Sequence, residues 1–354
     1  MNFTGVVSGG WLVAHSNAEE RTIMMSFLNR RVALTRLTTL ASIAAVSAGQ
    51  VFAQAAYPAK PLRLIVPQPP GGGFDFVARI LADRLGEVLG QPVVVENRTG
   101  SGTLVGTDLA AKAAPDGYTL LTGSISNLAL NMGLYRNPPY NSLRDFEPLG
   151  LAVSYSYTLM ARKDLPYKSL REVVAFAKAN PGKLTYASAG VGSGQHVLAA
   201  ALWQQAGVDI THVPYRGAQA AYQDLIGGRV DLFFDLSPTA RIQIDGGNAR
   251  ALVVSGSTRQ PTLPDVPTIV ETGVAKLQLE SWFGLFAPAK TPPAVLQRLR
   301  AELETIIASK DVSDIFRKAG GRSLSLSLAD TRALVKRDVD YWSKLIRELD
   351  IKPE

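Results

Sequence analysis

The sequence predicts an α/β protein with mostly parallel sheets, and three observations predict it. Short apolar or alternating runs repeatedly give way to segments of helical periodicity. Four of those runs end in turns rich in glycine, serine and threonine. Two amphipathic helices return at the C-terminal end after a middle block of strands, which suits two lobes, one completed by its own C-terminus.

Residues 1–55 stand outside that pattern. "MMSFLNRRVALTRLTTLASIAAVSAGQVFAQA" has a basic region at Arg30, Arg31 and Arg36, an apolar stretch from Leu37 to Val46, and "AQA". That is the layout of a secretory signal, starting at Met24 or Met25 and cleaved after Ala55. A membrane anchor is the alternative, but its apolar core is about ten residues against the ~20 that span a bilayer.

Beyond it, "LRLIV" reads as a strand and "FDFVARILADRLGEVL" as a helix with Phe76, Ile80, Leu81 and Leu85 on one face. "PVVVEN" and "TLVGTDLAAKAA" repeat the unit, and "YTLLTGS" is a third strand. "LAVSYSYTLMAR" begins a long extended segment, followed by the helix "SLREVVAFAKANPG", which ends at Pro-Gly. "LTYASAG" with "GQHVLAAALWQQAG", and "ITHVPY" with "AQAAYQDLIGG", are two more units. "VDLFFDLSP" and "ARALVVSG" add strands, and "PPAVLQRLRAELETIIAS" and "LADTRALVKRDVDYWSKLIREL" are the closing helices.

Composition narrows the function classes. Removing residues 1–55 lowers the net charge from +7 to about +5, with no lysine–arginine stripe. Mild basicity of this kind suits an anionic small ligand and gives no nucleic-acid signature. Zero cysteines exclude a disulfide framework, a thiol nucleophile and thiolate metal sites. Of three histidines, only His196 and His212 survive signal removal, too few for a histidine-rich metal centre, and no cofactor is implied. Cysteine-free export fits a bacterial periplasm.

The four turns are Gly71–Gly73, "NRTGSGT" (97–103), "TGSISN" (122–127) and "SAGVGSG" (188–194), each at the C-terminal end of a strand. In open parallel sheets ligands sit there, where helix N-termini present unpaired N–H groups. One such turn is only a connection, but four of like composition argue an anion-binding crevice. "PPGGGFD" lacks the P-loop lysine. "GSGTLVG" is no dinucleotide fingerprint, because the next strand, "YTLLTGS", carries no ribose-binding acid. A hydrolase reading rests on Ser188 or Ser193 with His196, although "GVGSG" is not G-x-S-x-G and no nearby acid orients the ring. The bland reading of His196 is a helix-face residue lining a cleft. Asp75 can cap its helix, pair with Arg79, or accept from a ligand amine or hydroxyl, and Asp235 has the same alternatives. Phe74, Tyr155, Tyr157, Tyr215 and Trp282 are pocket or core aromatics. An intracellular regulatory ligand-binding lobe is a third class, disfavoured by the signal.

Longer stretches carry a resemblance. "YPAKPLRLIVPQPPGGGFDFVARILADRLGEVLGQPVVVENRTGSG", "GTDLAAKAAPDGYTLL", "PGKLTYASAGVGSGQHVLAAALWQQAG", "VPYRGAQAAYQDLIGGRVDLFFD", "LPDVPTIVETG" and "WFGLFAPAKTPPAVLQRL" span almost the whole mature chain. In these the chain resembles the extracytoplasmic solute-binding proteins of tripartite tricarboxylate transporters, the Bug or TctC-like family. The resemblance implies a two-lobed, type II-like Venus flytrap, each lobe a mixed, mostly parallel sheet flanked by helices. Residues 56–158 and 280–354 would form one lobe and 159–279 the other. It implies a monomeric periplasmic receptor that closes on a small organic carboxylate and delivers it to membrane permease subunits. Carried onto this chain, the ligand-binding candidates are Gly73, Phe74, Asp75, Ser124, Ser126, Asn127, Ser188, Gly190, Gly192, Ser193, His196 and Asp235. The turn "NRTGSGT" departs from the family's N-x-x-G-A-G-G by Ser101 and Thr103, two hydroxyls that can change pocket polarity or only pack and cap.

Overall fold

Strand β1 (Leu62–Val66) lies between β2 (Val93–Asn97) and β3 (Thr119–Ser124), parallel to both, in a computed structural model that describes residues 57–353. The signal read at residues 1–55 lies outside the described residues. Among the described residues, no helix is long and apolar enough to cross a membrane.

Parallel neighbours need crossover connections, and α1 (Gly73–Leu89) and α2 (Leu104–Ala111) supply them. The buried face of α1 is Phe74, Val77, Ala78, Leu81, Ala82 and Leu85, an i, i+3, i+4 stripe. Phe76 and Ile80, expected on that face, are only half-buried. Each large apolar side chain of the stripe contributes roughly 1.5–3 kcal/mol by leaving water. Gly90, at φ 65°, ends the helix in the left-handed cap that glycine adopts without a Cβ penalty.

After β3 a π-helical turn, Ser126–Leu130, runs into α3 (Asn131–Leu134), and α4 (Ser142–Asp145) leads to β4 (Phe146–Arg162). β4 is nearly all buried and belongs to two sheets. Its first part, Phe146–Ser156, pairs antiparallel with β9 (Glu280–Pro288), which pairs antiparallel with β3. Its second part pairs antiparallel with β7 (Leu232–Leu236) and β8 (Ala249–Val254). β5 (Thr185–Ser188) lies parallel between β7 and β6 (Thr211–Pro214). The connecting helices here are α5 (Leu170–Ala179), α6 (Gly194–Ala206), α7 (Ala218–Ile226) and α8 (Ser237–Asp245). α9 (Pro293–Ala308) packs on α1 and β4; α10 (Lys310–Lys318) leads to β10 (Arg322–Ser323) on β4; α11 (Leu328–Glu348) covers the π-helical turn and α3.

The fold is the two-lobed α/β arrangement expected, but its sheets are mixed, not mostly parallel: β1–β3 and β5–β7 run parallel, whereas β4 pairs antiparallel with β7, β8, β9 and β10. Three elements went unread in the sequence. β9 is buried throughout, so it shows no alternation. α8 starts on Ser237-Pro238 directly after β7, where "LSP" reads as the strand's end, but proline at the start of a helix costs no hydrogen bond. α10 is a short exposed helix with two buried apolar residues, Val312 and Phe316.

Beside the β4–β9 pairing, Ser255 ties the two passages between the sheets with four hydrogen bonds. Ser255 donates its amide to Tyr157 O (2.8 Å), and its carbonyl accepts from Leu279 N (2.9 Å). Its hydroxyl accepts from Tyr157 N (2.9 Å) and donates to Leu279 O (2.5 Å). A buried serine thus ties the outgoing strand to the returning one.

Candidate functional site

All three glycine-polar turns of the first lobe contact the second: Gly71 and Gly73 meet Gln219 and Leu236, Gly102 meets Val191 of the fourth turn, and Ser126 meets Gly194. On the first-lobe side, Asp75 is the third residue of α1, and both its oxygens are taken by protein donors. Oδ2 accepts from Gly71 N (3.0 Å) and Arg79 Nε (2.8 Å); Oδ1 accepts from Arg79 Nη2 (3.0 Å) and Asn97 Nδ2 (3.1 Å). Burial pushes this carboxyl up, but the Arg79, Gly71 and Asn97 hydrogen bonds outweigh it and hold it below the ordinary value. Asp75 therefore braces the Gly71–Gly73 hook and ties it to the end of β2.

The third turn is braced in the same manner. Asn127 Oδ1 accepts from Ser124 N (2.7 Å), its Nδ2 donates to Thr107 Oγ1 (3.0 Å), and its carbonyl accepts from the Tyr140 hydroxyl (2.5 Å). Ser124 Oγ accepts from Ser126 N (3.1 Å). Ser126 Oγ is thereby presented outward and accepts from Gly194 N, the first residue of α6 in the second lobe, at 3.1 Å. Thr103 is buried and accepts from Asn131 Nδ2 (2.9 Å), so this departure from the family pattern packs inside the first lobe. Ser101 instead lines the crevice and holds φ at 44°.

In the second lobe, Ser193 caps α6 by accepting from the His196 amide (3.3 Å). Ser188 Oγ accepts from Gly190 N (3.2 Å) and lies 2.7 Å from His212 Nε2. His196 Nδ1 accepts from Gly192 N (3.4 Å), and its ring stacks on His212 with centroids 4.4 Å apart. Burial pushes His212 down to about 4, so the imidazole is neutral at physiological pH. The hydrolase arrangement of Ser188 or Ser193 with His196 is replaced by these roles: one hydroxyl pairs with the other histidine, and the second is a helix cap. Asp235 is fully buried and accepts from Gln195 Nε2 (2.9 Å), Tyr222 OH (2.7 Å) and Thr239 Oγ1 (2.5 Å). Burial raises its carboxyl above the usual range against those three bonds. It anchors the first turn of α6 from beneath, through Gln195.

The turns meet across the crevice at backbone distance. Gly102 sits at φ 69°, and a Cβ there would overlap Val191 O of the opposite turn. A Cβ on Gly73 would overlap Leu236 Cδ1, and one on Gly192 would lie 2.9 Å from Asn131 Oδ1. Gln219 Nε2 donates across to Gly71 O (2.8 Å). At the hinge end, the Tyr157 phenol lies against Gly194, and burial pushes it up to about 12, opposed by the hydroxyls of Ser281 and Ser126. Phe74 packs edge-on against Phe283 (5.1 Å). Of the candidate aromatics, Phe74, Tyr155, Tyr157 and Trp282 are buried, and Tyr215 faces the outer crevice. Asn131, Gln219 and Leu236 escaped sequence reasoning. Gln219 and Leu236 gain a role only by facing the opposing lobe, whereas Asn131 bonds Thr103 and Tyr140 within its own lobe and also lies against Gly192 of the other.

Paired α/β lobes, two connecting passages of which β4 is one, and helix N-termini facing a shared crevice define a two-lobed periplasmic binding protein. A family model described as "Tripartite tricarboxylate transporter family receptor" matches residues 77–351. The chain is 40% identical over 294 residues to the "UPF0065 protein in tcbD-tcbE intergenic region" of Pseudomonas sp. strain P51, covering 83% of this chain and 87% of that one. Among solved structures it is similar to R. palustris Rpa4515 with adipate (TM-score 0.81, 31% identity, 84% of this chain and 100% of that one). It is also similar to the periplasmic binding protein BugD (TM-score 0.80, 34% identity, 84% and 100%). The chain belongs to the tripartite tricarboxylate transporter family of receptors. It is a periplasmic solute-binding protein for a small organic carboxylate, and it serves a tripartite transporter.

Proposed function

We propose that the crevice grips a ligand carboxylate between the N-termini of α1 and α6, and that closure of the lobes over it is the signal read by permease subunits. The observation that carries this is the convergence of two helix N-termini and the Ser124–Ser126 turn on one inter-lobe seam. Backbone N–H groups and helix dipoles there favour an anion without a buried cation. Gly73, Phe74, Ser124, Ser126, Gly190, Gly192 and Ser193 are the residues that meet the ligand. Asp75, Asn127, Ser188, His196 and Asp235 hold those turns in place. Lobe 1 comprises residues 56–158 and 280–354, lobe 2 comprises residues 159–279, and the receptor works as a monomer. The ligand binds the closed form better than the open one, since only a differential affinity shifts the equilibrium.

Adipate in a related receptor supports a dicarboxylate as the cargo. A thermal-shift screen of the purified protein against mono-, di-, tri- and aromatic carboxylic acids tests the reading. An acid at about 100 times its Kd stabilises by roughly 2.7 kcal/mol. Absence of any shift across the whole panel would overturn it.

A further inference from the structure

Beyond the inner seam, the outer end of the crevice holds a cavity of about 330 Å³. Pro69 and the Thr99–Gly102 turn wall it from the first lobe; Ala189–Gly190 and Tyr215–Gly217 wall it from the second. The same turns lead inward: Pro69 begins the hook that ends at Gly73, and Ala189 begins the turn that ends at Ser193. The cavity is therefore walled by the outer ends of the turns whose inner ends form the seam.

The chemistry of this cavity is one-sided. Arg216 is the single charged side chain of its lining, is exposed, and makes no ion pair or hydrogen bond among the described residues. The amides of Gly100, Ser101, Gly102 and Gly217 donate to no acceptor among the described residues, and the hydroxyls of Thr99 and Ser101 add two more donors. No carboxylate lines it. Tyr215 of this wall donates its hydroxyl to Asp224 (2.7 Å), an acid already paired with its own cation, Arg229 (2.6 Å). A cation, free amides and hydroxyls, assembled only when both lobes come together, recognise an oxyanion.

We propose that Arg216 and the Thr99–Gly102 turn form an outer subsite that receives the second carboxylate of a straight-chain α,ω-dicarboxylate, making Arg216 a specificity-determining residue. The proposal rests on the reading of the crevice as the solute site. Titration calorimetry on the purified protein tests it, using succinate, glutarate, adipate and pimelate beside the monocarboxylates of equal length. The wild type should bind at least one diacid about tenfold or more tighter than its monoacid. Arg216→Gln should erase that margin while leaving the monoacid Kd and the unliganded Tm unchanged, because the side chain is exposed. Arg216→Lys should retain part of it. A margin that survives in Arg216→Gln overturns the subsite, as does an equal loss for both ligand types. Binding confined to citrate or benzoate, with none of the straight-chain acids, also overturns it but leaves the crevice reading standing. Silence with every acid overturns both.

Discussion

Asp75 shows how a residue at the right place for a ligand contact can be spent on architecture. It stands in the first turn of the hook helix, where a bare carboxylate would repel an incoming anion. Four hydrogen bonds from Gly71, Arg79 and Asn97 absorb that charge. Its carboxyl titrates below the ordinary value in the fold and at the ordinary value, ~3.9, in the unfolded chain. The unfolded state therefore takes up the proton first as pH falls. The stability Asp75 supplies is complete above about pH 5 and is lost as pH drops through its folded value. Asp75→Asn should cost about 1–2 kcal/mol at neutral pH and shrink the acid-induced loss of stability, as followed by urea denaturation at pH 7 and pH 3. Asp235 has the opposite character, a buried carboxyl whose charged form is disfavoured. Asp235→Asn should keep the fold nearly intact, whereas Asp235→Ala leaves Gln195 and Tyr222 unpaired and should cost about 1–3 kcal/mol in the same assay.

At the scale of elements, β4 and the loop around Ser255 decide how the lobes move. Rotation between lobes must be absorbed near Tyr157 and Leu279, the two residues that Ser255 bonds with both backbone and side chain. Ser255→Ala leaves the Tyr157 amide and the Leu279 carbonyl each short of one bond in a buried place. The expected cost is about 1–3 kcal/mol in urea denaturation, with a faster closing or opening phase in stopped-flow fluorescence of liganded protein. Gln219 acts only between elements, from α7 to the hook. Gln219→Ala should weaken the affinity for a bound carboxylate about fivefold by calorimetry, by removing one hydrogen bond available to the closed form alone. An unchanged Kd would show that this contact also exists in the open form. α1, with its one-sided apolar stripe, and β1 and α6, bounded by proline or glycine at both ends, were legible in the sequence to within a residue or two. β9 was not, because a strand buried on both faces has no alternation to read.

For the whole molecule, capture is a contest between two arrangements of the same lobes. Glycines at the seam let opposed turns approach to backbone distance, so closure excludes water from the anion and strengthens each N–H contact. A saturating carboxylate should raise Tm and reduce the radius of gyration in solution scattering; a raised Tm with unchanged dimensions would remove closure from the mechanism. The sequence by itself determined the export signal pattern, the α/β alternation, the four donor-rich turns and, through its long motifs, the family. Those features are local, written in periodicity and turn chemistry over a few residues at a time. Only the tertiary structure decided that Asp75 braces and Asp235 anchors, that Ser188 pairs with His212, and that Ser126 meets Gly194. Each of those outcomes depends on which groups from distant parts of the chain compete for the same hydrogen bonds. That competition is settled by packing two lobes around one shared strand, and no spacing along the chain encodes it directly.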